Sequence, residues 1–138
     1  MSSKKVAVSA CLLGHKCRYD GGDKKDESLQ LEGYEVIPFC PEDAILGTPR
    51  ETIDIVEGRA IGNESGVDYT QKIEAYAKEF IKTHPDISSF IVKSKSPSCA
   101  LLSARYYDRA KRLQKRGEGI FTKTIQQLLK DINIIEKG

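Results

Sequence analysis

The sequence predicts an α/β protein: a three-layer, mostly parallel sheet with flanking helices, Rossmann-like, forming a single domain over residues 1–138. Two observations carry this. Short apolar, β-branched runs alternate with segments whose apolar residues recur at helical steps, which is the pattern of strands crossed over by helices. No internal repeat, low-complexity segment or linker divides the chain.

The first strand is predicted over Lys5–Ala10, short and apolar enough for a buried parallel sheet. The stretch "GHKCRYDGGDKKDE" is polar and glycine-bearing and reads as a loop, while Glu27–Glu32 fits either a short helix or the end of an extended one. "YEVIPF", Tyr34–Phe39, is the second strand, with Pro38 near its end where a missing ladder donor is tolerated. "ETIDIVEGRAIGNESG" alternates apolar and polar residues around the turn-rich "GNESG", the signature of a small hairpin or extended excursion. Ile73, Tyr76, Ala77, Phe80, Ile81 and His84 share one helical face; Asp68 and Gln71 mark its start and Pro85 its end. Ile87–Ser94 is another buried strand. "ALLSARYYDRAKRLQKR" fits a helix throughout or a short strand at Arg105–Tyr107. Phe121, Ile125, Leu128, Leu129 and Ile132 form a last helical face, and "INIIEK" a terminal strand.

Composition narrows the function classes. With 39% hydrophobic and 30% charged residues the chain is an ordinary globular one, and its net charge of +2 implies no polyanionic partner. No apolar run approaches the roughly 20 residues of a membrane span, and "MSSKKVAVSACLLG" reads as a first strand rather than a signal peptide. The expected setting is the cytoplasm, where four cysteines point to metal or catalysis rather than disulfides.

Cys11, Cys40 and Cys99 each follow a predicted strand. Ligands of open α/β sheets gather beyond the carboxyl ends of the strands, so three thiols from distant segments should converge on one rim. Buried cysteines often serve as small hydrophobes, but these lie in polar, Gly/Pro/Ser-rich segments, which favours a site. Thiolates select zinc, copper(I) or iron–sulfur clusters. No tight C-x-x-C pair is present, and Cys11 to Cys17 is loose for a zinc knuckle. A cubane held by three thiolates instead of four would keep one iron open for substrate. Glu42 is a candidate proton carrier beside such a pocket. Ser98 either bonds a turn backbone or holds a polar substrate atom. Asp20 with Gly21 and Gly22 reads as turn chemistry, His15 as a solvated loop residue and His84 as a helix-end residue. The basic run Arg105, Arg109, Lys111, Arg112, Lys115 and Arg116 is either a solvated face or a grip on phosphates.

"VSACLLGHKCRYDGG", "CPED" with "LGTPRE", and "KSKSPSCA" together resemble the thiouracil desulfurase-like family, small proteins once catalogued as a domain of unknown function. The resemblance covers nearly the whole chain. It implies a [4Fe-4S] cluster held by Cys11, Cys40 and Cys99, acid/base roles for Glu42 and Ser98, and Cys17 as the thiol outside the ligand set. The implied reaction is a non-redox desulfuration of a thiolated nucleobase such as 2-thiouracil, the open iron accepting the substrate sulfur. Ala100 departs from the pattern, which implies glycine after "PSC"; its extra methyl is expected to tighten the pocket or disturb the cluster loop. Two rival readings remain: a non-catalytic metal or iron–sulfur sensing module, and desulfuration of thiolated bases in tRNA.

Overall fold

The computed structural model describes residues 4–22, 25–27 and 29–138. The predicted loop after Gly14 and the Glu27–Glu32 segment therefore lie partly outside the described residues. The strands are β1 (Lys4–Ser9), β2 (Tyr34–Phe39), β3 (Ile53–Val56), β4 (Arg59–Gly62), β5 (Ile87–Lys93), β6 (Ala104–Tyr107), β7 (Leu113–Gly117) and β8 (Asn133–Lys137). The helices are α1 (Pro41–Leu46), α2 (Thr70–Thr83) and α3 (Ile120–Leu128).

Four strands form a wholly parallel sheet in the order β2-β1-β5-β8, with Val6 opposite Val36 and Val8 opposite Ile91. The other four form a second sheet, β4-β3-β6-β7, in which β3 and β6 run parallel and the two outer pairs antiparallel. The α/β class is as expected; the second sheet is what the sequence pattern did not show.

Strand alternation assigns the two faces of the parallel sheet. Ala7, Phe39, Phe90 and Val92 enter the main core with Ile73, Ala77 and Phe80 of α2 and Ile120, Phe121 and Ile125 of α3. Val6 and Val8 point the other way, onto Leu12, Leu13, Leu29 and Leu31. All four phenylalanines of the chain pack in that main core, with Phe39 and Phe121 stacked at 4.8 Å and Phe39 and Phe80 tilted at 5.6 Å. Each such pair adds about 0.5–1.5 kcal/mol beyond its buried area. The core thus holds the end of β2 firmly, and Cys40 follows directly.

The remaining differences from the sequence reading have local causes. Of the two readings of 101–116, the short strand at Arg105–Tyr107 holds, as β6, and β7 follows in place of helix: Asp108 accepts hydrogen bonds from the N–H groups of Ala110 and Arg112 at 2.9 Å each, closing a turn that stops any helix. The hairpin turn lies at Glu57 and Gly58, whose φ values of 51° and 76° suit a tight two-residue turn, rather than at "GNESG". The described residues of Glu27–Glu32 are turn and irregular chain. α3 ends at Leu128, leaving Leu129 and Ile132 beyond it. The short helix α1, starting on Pro41, was not legible as a helix; proline suits a first helical position because its missing N–H would go unused there.

Among the described residues no helix is long and apolar enough to cross a membrane.

Candidate active site at the carboxyl rim of the parallel sheet

The strand order reverses at β1, and the crevice between the carboxyl ends of β1 and β5 is where such sheets bind ligands. A cavity of about 490 Å³ opens there. Its lining combines the rim of the parallel sheet with Ile53, Asp54 and Arg105 of the second sheet and Thr52, which directly precedes β3.

All four cysteines line this cavity, and none is in a disulfide. Cys11 sits in a single 3-10 turn, Ala10–Leu13, that leaves β1 and stops at Gly14, whose φ of 92° favours glycine. Cys40 is the residue between β2 and α1. Cys99 lies in the turn after β5, where its N–H and that of Ser98 donate to Ser96 Oγ at 3.0 and 3.2 Å. That turn rests on the start of α3: Ile120 N–H donates to the Pro97 carbonyl and Thr122 N–H to that of Ser98. Cys17 also enters the cavity wall, and its carbonyl lies 3.8 Å from Cys40 Sγ.

Burial pushes every one of these thiols up, while their neighbours act in both directions. Cys40 is raised to about 12, chiefly by burial, against the opposing Asp43 backbone N–H. Cys99 is raised well above the ordinary thiol value by burial, then by Cys40 and Glu42. Cys11 and Cys17 shift upward mainly through burial, and each is raised further by another cysteine. Thiolates gathered here would repel one another unless a cation lay among them. Among the described residues no three His, Cys, Asp or Glu side chains form a single-ion site.

Glu42, in the first turn of α1, lines the same cavity with its side chain 13% exposed. Burial raises its pKa, opposed by Arg50 and by hydrogen bonds from Ser98 and Ser96. Ser98 Oγ donates to Glu42 Oε2 at 3.0 Å, and Ser96 Oγ lies 3.4 Å from the same oxygen. Ser98 is fully buried and is not part of the cavity wall, whereas Ser96 is. The structure therefore brings Cys11, Cys40, Cys99 and Glu42 to one cavity and sets Ser98 behind the carboxylate.

Two residues of the site were not singled out in the sequence, Ser96 and Arg50. Both fall inside the stretches "KSKSPSCA" and "LGTPRE", and that is the only signal that points to them. Of the other candidates, Asp20 Oδ1 accepts the Gly22 N–H at 2.9 Å, which is turn chemistry, and His84 packs on Phe80 at the end of α2. The basic run divides: Arg105 reaches the cavity, while Arg109 and Arg112 are exposed beside Glu57 and Asp108.

The model of the 2-thiouracil desulfurase family matches residues 6–137. The chain belongs to that family. A solved structure described as a [4Fe-4S]-dependent thiouracil desulfidase, TudS, superposes with a TM-score of 0.79 at 33% identity, covering 97% of this chain and 91% of that one. An uncharacterized protein of Bacillus subtilis (strain 168), YbbK, is 34% identical over 115 residues, covering 68% of this chain and 72% of its own. The family resemblance read from the cysteine motifs is thereby borne out, and the cavity is the place to seek the family's chemistry. Within it, Ala100 is fully buried in the main core and is not part of the cavity wall. Its methyl therefore fills the core side of the Cys99 turn, where the expectation had it tightening the pocket or disturbing the cluster loop.

Proposed function

We propose that this chain desulfurates a thiolated nucleobase such as 2-thiouracil, using a [4Fe-4S] cluster held by Cys11, Cys40 and Cys99. The observation that carries the reading is the convergence of three thiols from three strand ends on one cavity that also holds a buried carboxylate. The donor set fits the cofactor: soft thiolates gathered on one cavity suit iron–sulfur chemistry. The solved neighbour's description as [4Fe-4S]-dependent supports the same assignment. A cytoplasmic setting belongs to this proposal, since a reducing compartment keeps such thiols available.

When bound with three protein ligands, the cluster would supply an open iron for the soft sulfur of the substrate. The protein's own part is proton handling. Water adds at the thiocarbonyl carbon; Glu42 takes its proton; the carbonyl forms as the carbon–sulfur bond breaks; sulfur leaves as sulfide. A thiocarbonyl and water become a carbonyl and hydrogen sulfide, with no net electron transfer. Ser98 and Ser96 occupy Oε2 of Glu42, which leaves Oε1 as the oxygen held by neither serine and suited to take the proton. Ser98 acts through Glu42 and is a positioning residue in this scheme.

Anaerobically reconstituted protein should convert 2-thiouracil to uracil with equimolar sulfide. Glu42→Gln should keep its iron while turnover falls about 100- to 10,000-fold, the usual scale for a positioned base. Iron-loaded wild type that leaves 2-thiouracil unchanged would show the substrate to be wrong. Full activity in Glu42→Gln would remove the carboxylate from the scheme.

A further inference from the structure

The Arg50 side chain is only 6% exposed and lines the cavity. It is tied in place. Its Nη1 donates to the Gly47 carbonyl at 3.2 Å and to Thr48 Oγ1 at 2.9 Å, and Thr48 Oγ1 in turn bonds Asp43. The Arg50 backbone N–H donates to the Tyr19 carbonyl at 2.8 Å. Yet the buried Nε–H has no acceptor among the described residues. Its ion-pair partner, Glu42 Oε1, stops at 3.9 Å, outside hydrogen-bond reach. A guanidinium stays protonated, so this donor is always present, and a buried donor without an acceptor is costly enough to call for an explanation.

We propose that Arg50 is a specificity-determining residue whose Nε–H donates to the second exocyclic oxygen of the thiolated pyrimidine. This deepens the proposed reading and rests on it. The oxygen is a neutral, planar acceptor, and a single fixed N–H matches it better than a phosphate, which calls for several donors. Because Arg50 Nε and Glu42 Oε1 are neighbours, anchoring the ring at that oxygen sets its thiocarbonyl edge in a defined register to the carboxylate. A ring without the oxygen leaves the donor unpaired, and sites built around a hydrogen bond discriminate strongly against ligands that lack it.

The test is ligand binding, read from the change in cluster absorbance on rapid mixing, before the first turnover is complete. The ligands are 2-thiouracil and pyrimidine-2-thione, which lacks the second oxygen; the proteins are iron-loaded wild type, Arg50→Gln and Arg50→Lys, each with its urea midpoint as a check on folding. Wild type should prefer 2-thiouracil by about 10- to 100-fold, the scale of a hydrogen bond to a charged donor. Arg50→Gln should reduce that preference to within about threefold while leaving affinity for pyrimidine-2-thione nearly unchanged. Arg50→Lys, which keeps the charge and loses the fixed Nε–H, should lose most of the preference too, and decides the matter alone if Arg50→Gln does not fold. Equal affinity of wild type for the two ligands, or a preference unchanged in a folded variant, overturns the inference and leaves the desulfurase reading standing. Wild type that binds neither ligand overturns the substrate reading and this inference with it.

Discussion

The cavity rim and the outer edge of the second sheet use similar residues to opposite ends. On the rim, Glu42 and Arg50 are withdrawn from water; Glu42 Oε2 is held by Ser98 and Ser96, and Arg50 Nη1 by Gly47 and Thr48. On the outer edge, Arg109 lies 3.9 Å from Glu57 with its side chain 90% exposed, and Arg112 lies 3.0 Å from Asp108 at 77%. Pairs of the second kind are screened by solvent and contribute little to stability. The lesson is that charge at a position says little until burial is known. The rim's few charges are where chemistry is expected, and the conspicuous basic run is mostly a solvated face.

Removing a rim thiol is the sharpest way to break this contrast. Cys40→Ala should lose its iron on anaerobic reconstitution, and sulfide release from 2-thiouracil should fall below roughly one-hundredth of wild type, since even residues that merely support metal ligands cost up to 100-fold. Cys17→Ala should keep its iron. Iron analysis of the pair checks the ligand set, and an equal loss in both would bring Cys17 into it.

Two glycines two positions apart offer the next comparison. A Cβ at Gly119 would lie 2.4 Å from the Ser98 carbonyl carbon and 2.7 Å from Cys99 N, so the cysteine turn must move. Gly119→Ala should cost about 2–3 kcal/mol in urea unfolding and weaken iron retention. At Gly117, in β7, the nearest atom is a Tyr106 ring carbon at 3.4 Å, an ordinary contact. Gly117→Ala should shift stability by no more than about 0.5 kcal/mol.

Glu51 gives a smaller, pH-dependent effect. The Ser65 N–H, with that of Glu64 and the Tyr69 hydroxyl, holds its carboxylate down to about 2. A carboxyl depressed on folding stabilises the native state above its unfolded value, ordinarily 4.5, and that contribution fades as pH falls from there toward 2. Glu51→Gln should therefore lower the urea midpoint at pH 7, and its deficit relative to wild type should narrow across that acid window. A deficit independent of pH would mean that the anchor works through shape rather than charge.

The smallest effect belongs to the outer edge. Arg109→Ala and Arg112→Ala should each change stability by less than about 0.5 kcal/mol and leave 2-thiouracil turnover as in wild type. Salt-sensitive tRNA binding that weakens in these variants would revive the reading in which thiolated tRNA is the substrate.

How much was legible follows from the range over which each feature is set. Cys11 and Cys40 could be placed on the rim because each follows the end of a parallel strand within two residues, and the order of apolar runs reveals where such strands end. The main face of α2 was readable from Ile73, Ala77 and Phe80, all buried as their spacing requires. α1 was not, since six residues opening on proline carry too little periodicity. β6 and β7 were obscured because arginine and lysine at frequent steps look helical, and only the Asp108 turn and pairing with β3 decide otherwise.

By itself the sequence determined the α/β class, the family through its three cysteine motifs, and the rim to which the thiols go, because strand ends and turn residues are local properties of the chain. Only the tertiary structure decided that Ser98 stands behind Glu42, that Ala100 fills core rather than pocket, and that Arg50 meets the carboxylate with one N–H left over. Ser98 and Glu42 are 56 residues apart in sequence. Their contact depends on how the packed phenylalanine core sets one strand end against another, and no spacing along the chain encodes that distance.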